Sequence, residues 1–137
     1  MSSDEDSLVT RHLRLGWWGL CVFLLGGAAL ETLHAIKAPS YLDVGHETTR
    51  LLLRLAHAHG ALLSLVNVAY AATIRAKPAA AQRSSSNALA VALVFLPLGF
   101  FLGGLGAQGG DPGLGVVFVP LGALSLVVGV AQVARRV

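Results

Sequence analysis

Charged residues are scarce in this chain: only 12% of its 137 residues are Asp, Glu, Lys or Arg. That share is about half of what an ordinary soluble domain carries. Apolar residues make up 55% of the sequence, whereas disordered chains combine low hydrophobicity with high net charge. The composition therefore excludes a disordered chain, argues against a water-soluble globule, and indicates a membrane protein.

Cysteine and aromatic residues are also scarce. The single cysteine, Cys21, excludes an intrachain disulfide framework and a cysteine-based zinc site. Aromatic residues account for 7% of the chain, so Leu, Val, Ala and Gly supply most of the apolar content. The sequence also lacks basic residues interleaved with aromatic ones and a Gly-rich phosphate loop, and we therefore expect no nucleic-acid partner.

Four long apolar segments predict membrane-spanning helices, since each approaches the roughly 20 residues that a helix needs to cross a bilayer. They cover about 15–36, 51–74, 88–105 and 113–134. Strands of a membrane barrel are shorter and alternate in polarity, which these segments do not. We predict an all-α integral membrane protein with one domain, a four-helix transmembrane bundle over residues 1–137, in which residues 1–10 form a disordered or solvated tail.

Basic residues are divided unequally between the two sides that this topology defines. Four spans place both termini on the same side of the membrane. That side holds seven basic residues, namely Arg11, Arg14, Arg75, Lys77, Arg83, Arg135 and Arg136. The other side holds three, namely Lys37, Arg50 and Arg54. Because positively charged loops stay in the cytoplasm, we predict cytoplasmic termini in a multi-pass protein of the inner or plasma membrane.

Four of the five histidines gather on the outer side, where the first span ends and the second begins. They are His34, His46, His57 and His59. Ionisable groups within membrane spans are costly and usually face a partner, a bundle interior or a cavity. Glu31 and His34 are three residues apart and therefore share one helix face. This one-sided clustering predicts the place where chemistry occurs.

The candidate site combines side chains from the first two spans and the loop between them. Carboxylate and imidazole groups together suit a transition metal ion. The predicted metal ligands are Glu31, His34, His46, Glu47 and His57. Alternatively, histidines on facing helices could hold haem iron axially. The predicted cofactor contacts are His34, His57, His59 and Arg54. His59 follows His57 by two residues and points almost the opposite way on a helix, so it needs a separate partner.

Two further functions remain open beside a redox or metal-handling protein. In one, His57 or His34 works with Glu31 as an acid–base pair of a metal-free enzyme that acts on a lipophilic substrate. In the other, the chain is a structural or accessory subunit of a membrane complex, and Glu31 forms an interhelical ion pair with Arg54. Asn67 is then an interhelical hydrogen-bonding group.

The segment LAHAHG at 55–60, followed by Asn67, resembles the second helix of small four-helix membrane proteins of the hydroxylaminobenzene mutase type. The run Phe23–Gly27 matches their first helix, which is rich in Leu and Gly. The chain departs from that family at Trp17–Gly19, where a histidine is expected near the start of the span. The resemblance implies an isomerase that moves a hydroxyl on an arylhydroxylamine, with His57 as a proton carrier. The same segment is similar to histidine-bearing helices of haem-copper oxidase subunit I.

Glycines in the second half of the chain are spaced for close helix packing. Gly99 and Gly103 are four residues apart, a spacing that lets helices approach each other within one chain or between chains. It predicts a homo-oligomer or a subunit of a membrane complex. Pro97 and Pro120 are predicted kinks, and a tight turn is expected around Asp111–Gly113.

Overall fold

Helices dominate the computed structural model of the chain, which describes residues 2–137 apart from the side chain of Ser40. The helices are α1 (Ser3–Ala35), α2 (Pro39–Leu42), α3 (Glu47–Ala76), α4 (Arg83–Leu105) and α5 (Phe118–Ala134). Short 3₁₀ turns precede α3, α4 and α5. Four helical segments are long and apolar enough to cross a membrane. The predicted all-α fold with four candidate spans is confirmed, and no strand is found between residues 2 and 137.

The first helix is longer than the sequence analysis predicted. It begins at Ser3, so the described part of the segment 1–10, which the sequence analysis assigns to a disordered or solvated tail, is helical from that residue onward. The Ser2 hydroxyl accepts from the Glu5 backbone N–H, and the Glu5 carboxylate accepts from the Ser2 backbone N–H. This capping box satisfies two of the N–H groups that a helix start leaves free. Leu8 and Val9 are buried against the rest of the protein.

The long helices pack as a row in chain order. Contacts are extensive between α1 and α3, between α3 and α4, and between α4 and α5, whereas α1 touches α4 only slightly. In the most apolar stretches of α1 and α5, 11% of the residues are buried in each case. In those of α3 and α4, the shares of buried residues are 33% and 44%. The inner pair therefore forms the core, and a shallow gap remains between α1 and α4.

Glycines in the described chain serve the packing of these neighbours. A Cβ at Gly99 would lie 2.7 Å from the Val119 backbone nitrogen, and a Cβ at Gly122 would lie 2.8 Å from the Leu96 Cα. The spacing of small residues that predicted association within or between chains thus serves contacts between α4 and α5 of the same chain.

The connection between α4 and α5 differs in detail from the prediction. Its tight turn covers Gln108–Asp111 and so begins three residues before the expected segment Asp111–Gly113, because Gly109 and Gly110 adopt positive φ angles there. Pro120 lies in the first turn of α5, where its missing N–H costs no helix hydrogen bond, so nothing there requires a kink. Pro97 does lie inside α4.

Candidate functional site

The structure has two ends, which are defined here by the connections they hold. The terminal end contains the start of α1, the connection from α3 to α4 and the end of α5. The opposite end contains α2 and the connection from α4 to α5. The predicted site belongs to the opposite half, and the structure places its members on different surfaces.

Glu31 and His34 are exposed on α1. Nδ1 of His34 lies 3.4 Å from an Nη atom of Arg54 on α3, which is longer than an ordinary hydrogen bond. In the described part of the chain, the one ion pair joins Arg83 to Asp4 at the terminal end, so Glu31 takes part in none. The Glu31–Arg54 pair expected of a purely structural cluster is therefore not formed.

His46 and Glu47 are exposed where a 3₁₀ turn leads into α3. The loop before them is held by Arg50, whose Nη1 donates to the backbone carbonyls of Tyr41 at 2.9 Å and Asp43 at 2.8 Å. This arginine therefore organises the loop and does not reach a ligand site.

The predicted metal ligands do not converge. Among the described residues, no group of three His, Cys, Asp or Glu side chains is arranged to hold a metal ion. The reason is that these residues lie at different positions along the helix axes. His57 packs against α1 at Phe23 and Gly27, and Gly27 lies about 10 Å along the axis from His34 at the usual helical rise. The metal and haem interpretations gain no support from this arrangement.

His57 is held against α1 by one of its two ring nitrogens. Its Nδ1 lies 2.7 Å from the backbone carbonyl oxygen of Phe23. A carbonyl can only accept, so Nδ1 carries a proton, and in the neutral ring Nε2 keeps its lone pair. The ring packs on Gly27, where a Cβ would collide with it. Glycine at position 27 therefore makes room for the imidazole between the two helices.

His59 has a partner separate from that of His57, and this partner lies on another helix. Its Nδ1 donates to the Leu55 carbonyl of its own helix at 2.9 Å. Its ring stacks on Phe100 of α4 with centroids 4.8 Å apart. This histidine therefore packs α3 against α4 and shares no site with His57.

A cavity of about 470 Å³ lies between α1, α3 and α4, and His57 forms part of its wall. The wall residues are Val22, Phe23, Gly26, Ala29, Leu30, Leu53, Ala56, His57, Pro97, Leu98, Phe101 and Leu105. Val22, Phe101 and Leu105 are exposed at its rim, so the cavity opens sideways through the gap between α1 and α4. His57 is the single ionisable side chain among the described residues of the wall. This cavity is large enough for a small organic molecule.

A second set of polar residues lies at the terminal end, and the sequence analysis did not predict that its members are in contact. His12, Asn67 and Ser86 are each fully buried. Nδ1 of His12 lies 2.6 Å from Oδ1 of Asn67, and Nε2 lies 2.8 Å from Oγ of Ser86. We call these three residues, together with Arg11, the terminal network. It joins α1, α3 and α4.

The direction of the hydrogen bonds in the terminal network follows from which of its atoms can donate and which can only accept. Oδ1 of Asn67 can only accept, so Nδ1 of His12 carries a proton. In the neutral ring, Nε2 accepts from the Ser86 hydroxyl, whose oxygen accepts from Arg11 at 3.0 Å. Nδ1 of His12 then donates to Asn67, whose amide donates onward to the Leu63 carbonyl at 2.8 Å. In its neutral form His12 has both ring nitrogens satisfied, and the side chain joins α1 to α3 and α4.

Two signals could have revealed this network. Asn67 was predicted to be an interhelical hydrogen-bonding group, and the structure shows it in that position, bonded to His12 across α1 and α3. His12 is the one histidine on the predicted terminal side, and it lies just after the segment 1–10 that was assigned to a tail. Extending α1 to Ser3 is what brings His12 into the bundle.

Comparisons of the chain with protein-family models, with curated proteins and with solved structures find no match. The geometry described above is therefore the basis for any functional conclusion.

Proposed function

We propose that the chain is a multi-pass membrane protein, with both termini in the cytoplasm, that binds a small lipophilic molecule in the cavity between α1, α3 and α4. The observation that carries this proposal is an apolar cavity of about 470 Å³ with one histidine in its wall. Small-molecule sites typically combine apolar walls with a few placed polar groups.

The hydrogen bond to Phe23 supports a specific role for His57 in this site. Since Nδ1 donates to that carbonyl, Nε2 is the acceptor that His57 can offer to a ligand. A ligand with an O–H or N–H group would form that bond in surroundings of low polarity, where hydrogen bonds are electrostatically stronger than in water. We therefore expect the ligand to be an apolar molecule with one hydrogen-bond donor.

Entry from the lipid phase suits this ligand. The cavity opens between α1 and α4, and its rim residues are apolar and exposed. A molecule dissolved in the hydrocarbon region would reach His57 without crossing a polar surface. This route supports a ligand that partitions into membranes.

The resemblance to the hydroxylaminobenzene mutase type suggests a catalytic form of the same proposal. An arylhydroxylamine combines an apolar ring with N–H and O–H donors, which matches the ligand class expected above. In that form, Nε2 of His57 would accept a proton from the bound molecule and return it during the isomerisation. Neither Glu31 nor His34 lines the cavity, so neither has a part in this step.

Binding of 1-naphthol and of its methyl ether tests the proposal. The two probes share a ring system, but the ether has no donor. Equilibrium dialysis of the purified full chain in maltoside micelles should show about tenfold tighter binding of the naphthol, the equivalent of one hydrogen bond. His57→Phe should remove this preference, because phenylalanine keeps a ring in the wall but offers no acceptor.

A matched pair of substitutions locates the binding. Ala29 lines the cavity and Ala28 does not, although both are exposed on α1. Ala29→Leu should weaken binding of both probes, and Ala28→Leu should leave both unchanged. A naphthol preference that survives His57→Phe, or equal effects of the two leucine substitutions, would contradict the proposal.

A further inference from the structure

One face of α1 changes character along its length. Residues at steps of three or four share a helix face, and such a stripe runs from the terminal end to the cavity. Its members are Ser3, Ser7, Thr10, Arg14, Trp18, Val22, Gly26 and Ala29. The stripe is polar up to Arg14 and apolar beyond it. We call it the α1 stripe.

Three depressions follow the α1 stripe and share residues where they meet. A polar depression around Ser7 and Thr10 shares Arg14 with a second, apolar one. The second depression lies between α1 and α4 and has Leu93 and Val94 as its α4 wall. It shares Val22 and Phe23 with the His57 cavity. The second depression and the His57 cavity follow the gap between α1 and α4. The polar depression is lined by α1 alone and adjoins them at Arg14. We call the three together the track.

The dimensions of the track suit an extended chain. From Arg14 to Ala29, α1 rises about 22 Å. Because α1 and α4 make little contact, the track stays open to the side over this length. The track therefore fits a single long alkyl chain better than a compact ring system alone.

Charge at the polar end indicates the headgroup. Arg14 is exposed and forms no ion pair within residues 2–137. Arg11, one position outside the stripe, donates to Ser86 and Asn87 and adds positive charge. Asp6 also borders the polar depression, but it lies about 12 Å along the axis from Arg14. The headgroup position beside Arg14 is therefore electropositive.

We propose that the ligand of this protein is a single-chain amphiphile with an anionic headgroup and a hydroxyl at the far end of its chain, such as a long-chain carboxylate that carries a terminal hydroxyl. The headgroup lies at Arg14, the alkyl chain follows the α1 stripe, and the far end of the chain reaches the cavity beside His57. This inference rests on the proposed function, since it names the ligand class of the same cavity. It adds a headgroup site that the cavity alone does not imply.

Oleate and oleyl alcohol test the headgroup, because they share the same chain and differ in charge. Native mass spectrometry of the full chain released from maltoside micelles counts the bound molecules directly. We expect oleate to be retained about fivefold better than the alcohol, the effect of one arginine near a membrane surface. Arg14→Gln should abolish that preference. Arg75→Gln, an exposed arginine at the same end outside the track, should leave it intact.

Obstruction of the track provides a second, independent test. Val94 lines the apolar depression but not the His57 cavity, whereas Val91 lines neither. Both are exposed on α4. Val94→Trp should reduce oleate retention, and Val91→Trp should not. Binding of 1-naphthol should stay unchanged in both variants.

The outcomes separate this inference from the proposed function. If 1-naphthol binds with dependence on His57 but oleate retention ignores Arg14 and Val94, the amphiphile is overturned and the cavity proposal stands. If naphthol shows no such dependence while oleate retention follows both residues, the proposed role of His57 fails and the track stands. Retention of dioleoylphosphatidylglycerol without oleate, with the same dependence on Arg14, would overturn the single-chain assignment.

Discussion

Two histidines define the two halves of this molecule. His12, at the terminal end, is fully buried and hydrogen-bonded through both ring nitrogens, to Asn67 and Ser86. His57, in the opposite half, is half-buried, donates through one nitrogen to Phe23, and forms part of the wall of an apolar cavity. The first is a closed arrangement between protein groups. The second leaves an acceptor for a ligand.

A structural histidine differs from a candidate site residue in whether both of its ring nitrogens have hydrogen-bond partners within the protein. This criterion separates His12 from His57 better than burial or clustering in the sequence does. A buried polar group without a partner costs free energy, so complete pairing at His12 indicates a role in stability. At His57, one ring nitrogen bonds to Phe23 and the residue borders an apolar cavity, so its second nitrogen can instead accept from a ligand that donates to it. The following substitutions would break or sharpen this contrast.

The largest expected effect is on the stability of the terminal network. His12→Leu leaves Asn67 and Ser86 buried without their shared partner, at about 1–3 kcal/mol for each group. We expect the free energy of unfolding to fall by about 3 kcal/mol, measured by reversible unfolding with SDS in mixed micelles. Ligand preference at the cavity should be unchanged in the fraction that remains folded.

His59→Leu is the matched control for this change. His59 bonds only to its own helix and stacks on Phe100, and leucine keeps an apolar contact there. Its cost should stay below about 1 kcal/mol. Equal losses in the two variants would show that the terminal network has no special stabilising role.

The sequence could predict the helices, but not which pairs of helices pack closely and which pair leaves a gap. Apolar segments long enough to span a bilayer are a local property, so α3, α4 and α5 were anticipated within a few residues. The sequence analysis began the first span at about residue 15 and assigned the acidic first turn of α1 to a disordered or solvated tail, although Asp4 and Glu5 favour a helix N-terminus.

The candidate site shows the same limit. His57 was singled out from the sequence, because an ionisable residue in an apolar span is unusual. Its supposed partners at Glu31 and His34 were chosen by proximity to the end of the span, whereas contact depends on the relative height of two helices. The cavity itself depends on the separation of α1 from α4, which no local pattern encodes.

A smaller effect is expected when His57 is replaced. His57→Phe removes one interhelical hydrogen bond, worth about 1 kcal/mol, and keeps a ring beside Gly27. Unfolding in SDS should therefore show a modest loss, well below that of His12→Leu, while the preference for naphthol over its ether disappears. If His57→Phe destabilises the protein as much as His12→Leu, both histidines are structural and the contrast between the two halves is lost.

The smallest effect concerns Glu31, on which the metal and ion-pair interpretations both depend. Glu31 is exposed and has no ion-pair partner in the described chain, and substitutions at such positions usually change stability by less than about 0.5 kcal/mol. Glu31→Gln should therefore unfold in SDS as the unmodified chain does, with or without added Zn²⁺. A ligand that binds only the folded state raises its stability. A Zn²⁺-dependent stabilisation that Glu31→Gln removes would therefore restore the metal site and place the chemistry at the end of α1, away from His57.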